Sequence, residues 1–282
     1  MVDRISDLPD EVLCDILSFL PTQEAVKTSV LSKRWRHLWT SVPALDFDDQ
    51  TCLKDVPISY FERIVHTTIL ARDVHQPITS FRLKYDASSY DYKRSDYNRS
   101  NADLNVWVNT ATRCGIQNLD IEIFPLNYMI RLRSCILSCK TLVVLKLSGL
   151  SLNVSSSVEL PSLKTLHLTN VEFVGLQYLI KLISGCPMLE DLETVWLDYD
   201  LEYDGYVSEE GFKLPNLVRA YIRSVDMVGA NMLLKAACNT EFLILKQVRI
   251  YWIGNSFVCC LVWDIDNVTF IFHIFLCSVE LM

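Results

Sequence analysis

LVVLKLSGLSLNVSSSVELPSLKTLHLTN, residues 142–170, says the same thing twice. Leu142, Leu145 and Leu147 form one copy, followed by Leu150 and Leu152, and Leu163, Leu166 and Leu168 form the second. In an extended chain side chains alternate between two faces, so the last two leucines of each copy share one face. Asn170 follows two places on, where its amide can satisfy turn backbone. An internal repeat decides an architecture before local propensity does, so the search for further copies comes first.

Weaker copies lie on both sides: Ile116, Leu119 and Ile121; Leu189 and Leu192; Leu217, Ala220 and Ile222; Leu243 and Leu245. The central positions 119, 145, 166, 192 and 220 advance by 26, 21, 26 and 28 residues. Each step falls in the range of about 20 to 29 residues that defines a leucine-rich repeat. Leu160-Pro161-Ser162-Leu163 and Leu214-Pro215-Asn216-Leu217 introduce two strands identically, and Gly185-Cys186-Pro187-Met188-Leu189 introduces a third after the helical run Leu176–Ile183. Each unit is then a short strand with a return helix that buries its leucines only by stacking on the next unit. The pattern predicts an α/β solenoid of parallel strands over residues 116–252. Upstream, Tyr60–Leu70 reads as a helix and Ile78–Tyr85 as a strand, so residues 46–115 form a linker helix and an irregular first repeat.

The first forty residues carry a different pattern. Pro9 suits the first turn of a helix, and Asp10 with Glu11 put negative charge at its positive end. Val12, Leu13, Ile16, Leu17 and Leu20 follow at helical spacing until Pro21 ends the helix. Thr22 can cap a second helix bearing Ala25, Val26 and Val30. Ser32 caps a third, in which Trp35, Leu38 and Trp39 continue a stripe begun by Leu31. Three helices of this size cannot bury that apolar surface among themselves, so the surplus implies docking.

The ordered set Asp7-Leu8-Pro9-Asp10-Glu11-Val12-Leu13, Ile16-Leu17-Ser18-Phe19-Leu20-Pro21 and Val30-Leu31-Ser32-Lys33-Arg34-Trp35-Arg36-His37-Leu38-Trp39 closely resembles an F-box of the plant F-box/leucine-rich-repeat type. The resemblance covers residues 4 to about 44 and makes residues 1–45 a three-helix F-box module ahead of the solenoid. It implies binding to the Skp-type adaptor of a cullin ubiquitin ligase. By position, Leu8, Pro9, Ile16, Leu17, Leu20, Val30, Leu31 and Trp35 are the adaptor-binding candidates, some of which must hold the helices together instead. Laying an apolar helical face into a partner groove is an ordinary mode of recognition.

Two segments break the repeat. Residues 86–103, rich in Ser, Tyr, Asp, Asn and Arg, have no hydrophobic period and read as an exposed loop before a helix starting near Leu104. Residues 253–282 contain the apolar run Phe270–Leu276 outside any repeat register, although Asp264, Asp266 and Asn267 interrupt the stretch too early for a membrane span. They read as a covering strand at the end of the solenoid or as the end of a truncated product. Family resemblance implies a further C-terminal domain, and nothing in residues 253–282 matches one.

The net charge of -8 in 282 residues argues against a nucleic-acid partner, which needs a basic face. Residues 1–20 hold five acidic residues and no uninterrupted apolar run, so they lack a signal peptide's pattern. The ten cysteines are therefore expected free, in a cytoplasmic or nuclear setting. Their spacing fits no metal site, no cofactor fingerprint is present and no catalytic motif appears, so the chain reads as a non-catalytic subunit.

A repeat strand's residues between its buried leucines face the concave surface. Among them Lys146, His167, Asp191, Glu193, Arg219, Tyr221 and Arg223 are the substrate-binding candidates, with Arg82, Lys84, Asn118, Asp120, Glu122, Val144, Ser148, Thr165 and Thr169 on the same face. Acidic, neutral and basic strips suit a protein partner better than lipid or a phosphate backbone. The expectation is a substrate receptor of a Skp-cullin-F-box ubiquitin ligase, and the alternative is an interaction scaffold outside ubiquitination.

Overall fold

The structure, a computed structural model, describes residues 5, 7–52, 58–73, 75–86, 94–124, 129–155, 157–199, 213–223, 225, 227–237, 240–246, 256–259 and 275–278. Pro9 precedes helix α1 (Asp10–Leu17), whose first turn carries Asp10 and Glu11. Pro21 precedes α2 (Thr22–Lys27), which runs into a 3-10 turn at Thr28–Val30. The next helix, α3 (Trp35–Leu38), begins where the Trp35 N–H donates to Ser32 Oγ at 3.4 Å. Leu13, Cys14, Leu17, Ala25, Trp35, Leu38 and Val42 form a small core of their own.

The chain then enters β1 (Ala44–Asp48), followed by α4 (Asp49–Cys52), α5 (Ile58–Ala71), β2 (Ser80–Asp86), α6 (Arg94–Arg113), β3 (Asn118–Phe124), β4 (Ile130–Leu132) and β5 (Val144–Leu152). Next come β6 (Thr165–Phe173), α7 (Leu176–Ser184), β7 (Asp191–Val195), β8 (Asp198–Tyr199), β9 (Arg219–Arg223), α8 (Met227–Ala236) and β10 (Phe242–Lys246). Their sheet has the order β1-β2-β3-β5-β6-β7-β9-β10, with β4 and β8 pairing beside β5 and β6. Every pairing in it is parallel.

Register puts like with like. Leu45, Phe81, Leu119, Leu145, Leu166, Leu192 and Ala220 form one inward row, and Phe47, Leu83, Ile121, Leu147, Leu168, Thr194 and Ile222 form a second. None of these fourteen side chains is more than 3% exposed. Burying one such side chain contributes about 1.5–3 kcal/mol, and each does so only through its lateral neighbours. Leu243 and Leu245 on β10 continue the rows but are only half-buried. After the outward row Ser148, Thr169, Val195, the next residues Gly149, Asn170 and Trp196 all have left-handed backbone, with φ of 72°, 52° and 56°. The bend therefore recurs in three successive units. Asn170 serves it by tolerating that backbone better than most side-chain-bearing residues.

Several expectations need correction. Strand β1 crosses the 45/46 boundary, so the repeats begin inside the expected F-box range. Thr22 is the first residue of α2 rather than its cap; its hydroxyl accepts the Asp46 N–H at 2.7 Å. The polar stretch 86–103 is helical from Arg94 onward, with Asp86 ending β2 and residues 87–93 outside the described ones. A helix fixed by Leu104, Trp107, Val108 and Ala111 propagates backward through polar residues that show no hydrophobic period. Not every unit has a return helix: Asn153–Lys164 contains none among the described residues, because the 21-residue step leaves no room. Strands β11 (Ser256–Cys259) and β12 (Phe275–Ser278) pair antiparallel in a separate two-stranded sheet instead of extending the parallel one. Two neighbouring strands can satisfy each other's backbone locally in this way. Phe270–Ile274 lies outside the described residues.

Leu166, fully buried between Leu145 and Leu192, separates the two faces cleanly. Leu166→Asp is expected to cost on the order of 4 kcal/mol or more, because a charge would sit in the leucine row without a partner. Thr165→Asp, one place away on the outward face, is expected to cost less than about 1 kcal/mol. Urea titration of both variants checks this, and equal losses would mean that the faces are exchanged.

Candidate functional site

The helical module divides its apolar residues between two faces. Leu13 and Leu17 of α1 point into the module's core with Trp35 and Leu38, while Val12 and Ile16 are 40% and 45% exposed. Beyond α1, Phe19 and Leu20 are 87% and 38% exposed, and Val30 and Leu31 are 85% and 65% exposed. Isolated exposed hydrophobics are commonplace, but here six of them fall within twenty residues of chain. Pro9 is exposed and Leu8 half-buried against the core. Of the eight adaptor candidates, Leu17 and Trp35 are therefore corrected to core residues, 2% and 8% exposed. Val12 and Phe19 join the exposed set in their place. Their signal was legible: Val12, Ile16 and Phe19 recur at helical spacing one residue out of phase with Leu13 and Leu17.

The second surface is the outward face of the sheet. Its middle row reads Asp46, Arg82, Asp120, Lys146, His167, Glu193 and Tyr221, one residue each from β1, β2, β3, β5, β6, β7 and β9. Opposite charges alternate along the first four positions at the spacing of adjacent strands, the arrangement in which cross-strand pairs are favourable. Arg82 Nη1 lies 2.8 Å from Asp46 Oδ1, and its Nη2 lies 3.7 Å from Asp48 Oδ2. Burial disfavours the charged Arg82, but the hydrogen bond and charge of Asp46 more than offset it and hold the pKa above the usual guanidinium value. Burial pushes the Asp120 carboxyl up from the ordinary carboxylate range, with Lys146 and Arg82 pulling the other way.

His167 occupies the middle of this face. Its Nε2 is 3.7 Å from Asp191 Oδ1 and its Nδ1 is 3.6 Å from Glu193 Oε2. Arg219 Nη2 reaches the other Asp191 oxygen at 3.0 Å. The structure thus brings His167, Asp191, Glu193 and Arg219 together, with Tyr221 beside Glu193 and Lys146 beside His167 in register. Arg223 stands one row away, next to Lys246. At the β10 end the face becomes apolar, with Phe242 and Ile244 62% and 47% exposed. Sequence reasoning missed Asp46 and Asp48, although Leu45 and Phe47 alternate with them directly after Pro43.

Burial pushes the thiols of Cys14, Cys135 and Cys186 up, that of Cys186 to about 12. Cys14, Cys114, Cys135, Cys139 and Cys186 are free thiols. Among the described residues no helix is long and apolar enough to cross a membrane.

Comparison with known proteins agrees with both halves. Residues 5–46 match the F-box domain, and residues 104–210 match the family described as FBD-associated F-box protein At5g56370, LRR repeats. An FBD-associated F-box protein of Arabidopsis thaliana, At5g38590, is 40% identical over 202 residues, covering 71% of this chain and 46% of the relative. F-box/LRR-repeat protein At4g14103 from the same plant is 39% identical over 212 residues, 70% of this chain and 51% of its own length. F-box/FBD/LRR-repeat protein At2g26030 is 40% identical over 193 residues, 67% and 40% of the two. An F-box followed by leucine-rich repeats defines the class, and this chain belongs to the plant F-box/leucine-rich-repeat family. The chain spans about half the length of the curated relatives it matches.

Arg219 and Arg223 on the outward face are expected to be dispensable for folding. Arg219 is 61% exposed, and an exposed ion pair such as Arg219–Asp191 contributes only about 0–1 kcal/mol. Arg219→Glu with Arg223→Glu is expected to melt within a few degrees of the parent, by about 2–4 °C per kcal/mol for a chain of this size. Unfolding of the double variant at room temperature would show instead that these arginines are structural.

Proposed function

We propose that the chain is the non-catalytic substrate-receptor subunit of a Skp-cullin-F-box E3 ubiquitin ligase. The F-box takes the Skp-type adaptor, through which it joins a cullin, and the outward face of the repeats takes a protein substrate. The observation that carries this reading is the exposed apolar set Val12, Ile16, Phe19, Leu20, Val30 and Leu31, on a module whose own core is already complete without them. Leu8 and Pro9 lie at the start of the same module and extend the set.

On the repeats, Lys146, His167, Asp191, Glu193, Arg219, Tyr221 and Arg223 form the substrate face. Alternating charge there favours a partner of complementary pattern, giving specificity and rate of encounter more than raw affinity. The receptor's contribution to ubiquitin transfer is then proximity and orientation, with the chemistry supplied by other subunits.

Adaptor binding by the full chain tests the reading, measured by calorimetry with purified Skp-type adaptor. Parent protein is expected to bind at micromolar concentration or tighter. Val30→Asp with Leu31→Asp is expected to abolish binding while leaving the melt unchanged, since truncating one central anchor already costs about 2 kcal/mol or more. Leu17→Asp is expected to unfold the module instead. Absence of binding by the folded parent would leave the scaffold reading in possession of the field.

A further inference from the structure

Val42 belongs to the F-box core and Leu45 to the repeat core, three positions apart in the chain. The two residues between them are also engaged. Pro43's carbonyl accepts the Thr79 and Ser80 N–H groups at 2.8 and 3.3 Å and the Thr79 hydroxyl at 3.2 Å, and Ala44 already pairs with Ser80 in the sheet. A flexible linker is therefore missing where an F-box could swing against its repeats.

Arg72, directly after α5, closes this junction. It is 6% exposed, and its guanidinium donates to the Val42 carbonyl through Nη1 and to the Pro77 carbonyl through Nη2, the latter at 3.1 Å. One planar group thus spans the last residue of the F-box core and the approach to β2. Two further bonds cross the same boundary: Asp46 N–H to Thr22 Oγ1 at 2.7 Å, and Asp73 N–H to the Thr40 carbonyl at 3.3 Å. Thr22 is itself 5% exposed. Buried polar contacts of this kind are costly to leave half-made, so any tilt of one module must break several at once.

We propose that Arg72 is a positioning residue that locks the F-box and the repeats into a single rigid body, fixing the angle between the adaptor-binding surface and the substrate face. Its meaning for ubiquitin transfer rests on the receptor reading above, but the lock itself is a property of the chain alone. A guanidinium suits the task because its fixed fork can hold two carbonyls in one plane, which a lysine ammonium cannot.

Energy transfer between single pairs of dyes tests this in the full chain, with non-canonical residues carrying the dyes at the exposed positions Lys33 and Lys140. Parent protein is expected to give one narrow distribution. Arg72→Met is expected to broaden or split it while near-ultraviolet circular dichroism of each domain's aromatics persists, and Arg72→Lys is expected to restore it only in part. A lower melting temperature with the distribution still single and narrow would make Arg72 a stability residue only and overturn the proposal. A broad distribution in the parent would overturn it as well. Should Arg72→Met fail to fold, Thr22→Val, which removes the acceptor for Asp46 N–H, is expected to broaden the distribution, and an unchanged one would count against the lock. Adaptor plays no part in the measurement, so failure of adaptor binding bears on the receptor reading alone.

Discussion

A leucine in one of these strands is buried only because the strands on either side present side chains at the same level. This lateral dependence organises the whole molecule. It forces the strands parallel and in register, sets the inward rows from Leu45 to Ala220 and from Phe47 to Ile222, and sends every intervening residue to the opposite face. The price appears where the rows end: Leu243 and Leu245 on β10 are only half-buried. Inside the rows, Thr194 puts a hydroxyl at a leucine level with no hydrogen-bond partner.

Because the inward rows secure the fold, the outward rows are free to vary in charge. Asp46, Arg82, Asp120 and Lys146 alternate and partly neutralise one another at the F-box end. His167, Asp191, Glu193 and Arg219 gather in the middle, and Phe242 with Ile244 make the far end apolar. A face graded in this way offers a protein partner several chemically different footholds along one surface. The F-box surface is different in kind: apolar, drawn from one twenty-residue stretch and backed by a separate small core.

Much of this was legible in the amino-acid sequence, for identifiable reasons. The two copies in residues 142–170 obey a period that no helix imitates, and the weaker copies follow from their spacing, so the inward and outward faces of the repeats could be assigned residue by residue. The short strand β1 escaped notice because Ala44–Asp48 lies where the F-box resemblance ends, although Leu45 and Phe47 alternate with aspartates. The helix over Arg94–Asp103 escaped because cooperative extension from a buried segment leaves no pattern in the residues it recruits. For the exposed F-box surface, helical spacing shows which residues are apolar, while the choice between Leu17 inward and Ile16 outward depends on how α1 packs against Trp35. That packing is tertiary. Arg72 was invisible for the same reason, since nothing in its neighbours marks the carbonyls of Val42 and Pro77 as its partners.

On the proposed reading, adaptor and substrate use different faces of one chain. Photo-crosslinking residues installed singly at Val30 and at His167 in the full chain, each exposed to purified Skp-type adaptor, test it directly. The account predicts a covalent adaptor adduct from position 30 and none from position 167. Adduct formation from position 167, or equal yields from both, would contradict the division of labour between the F-box surface and the repeat face.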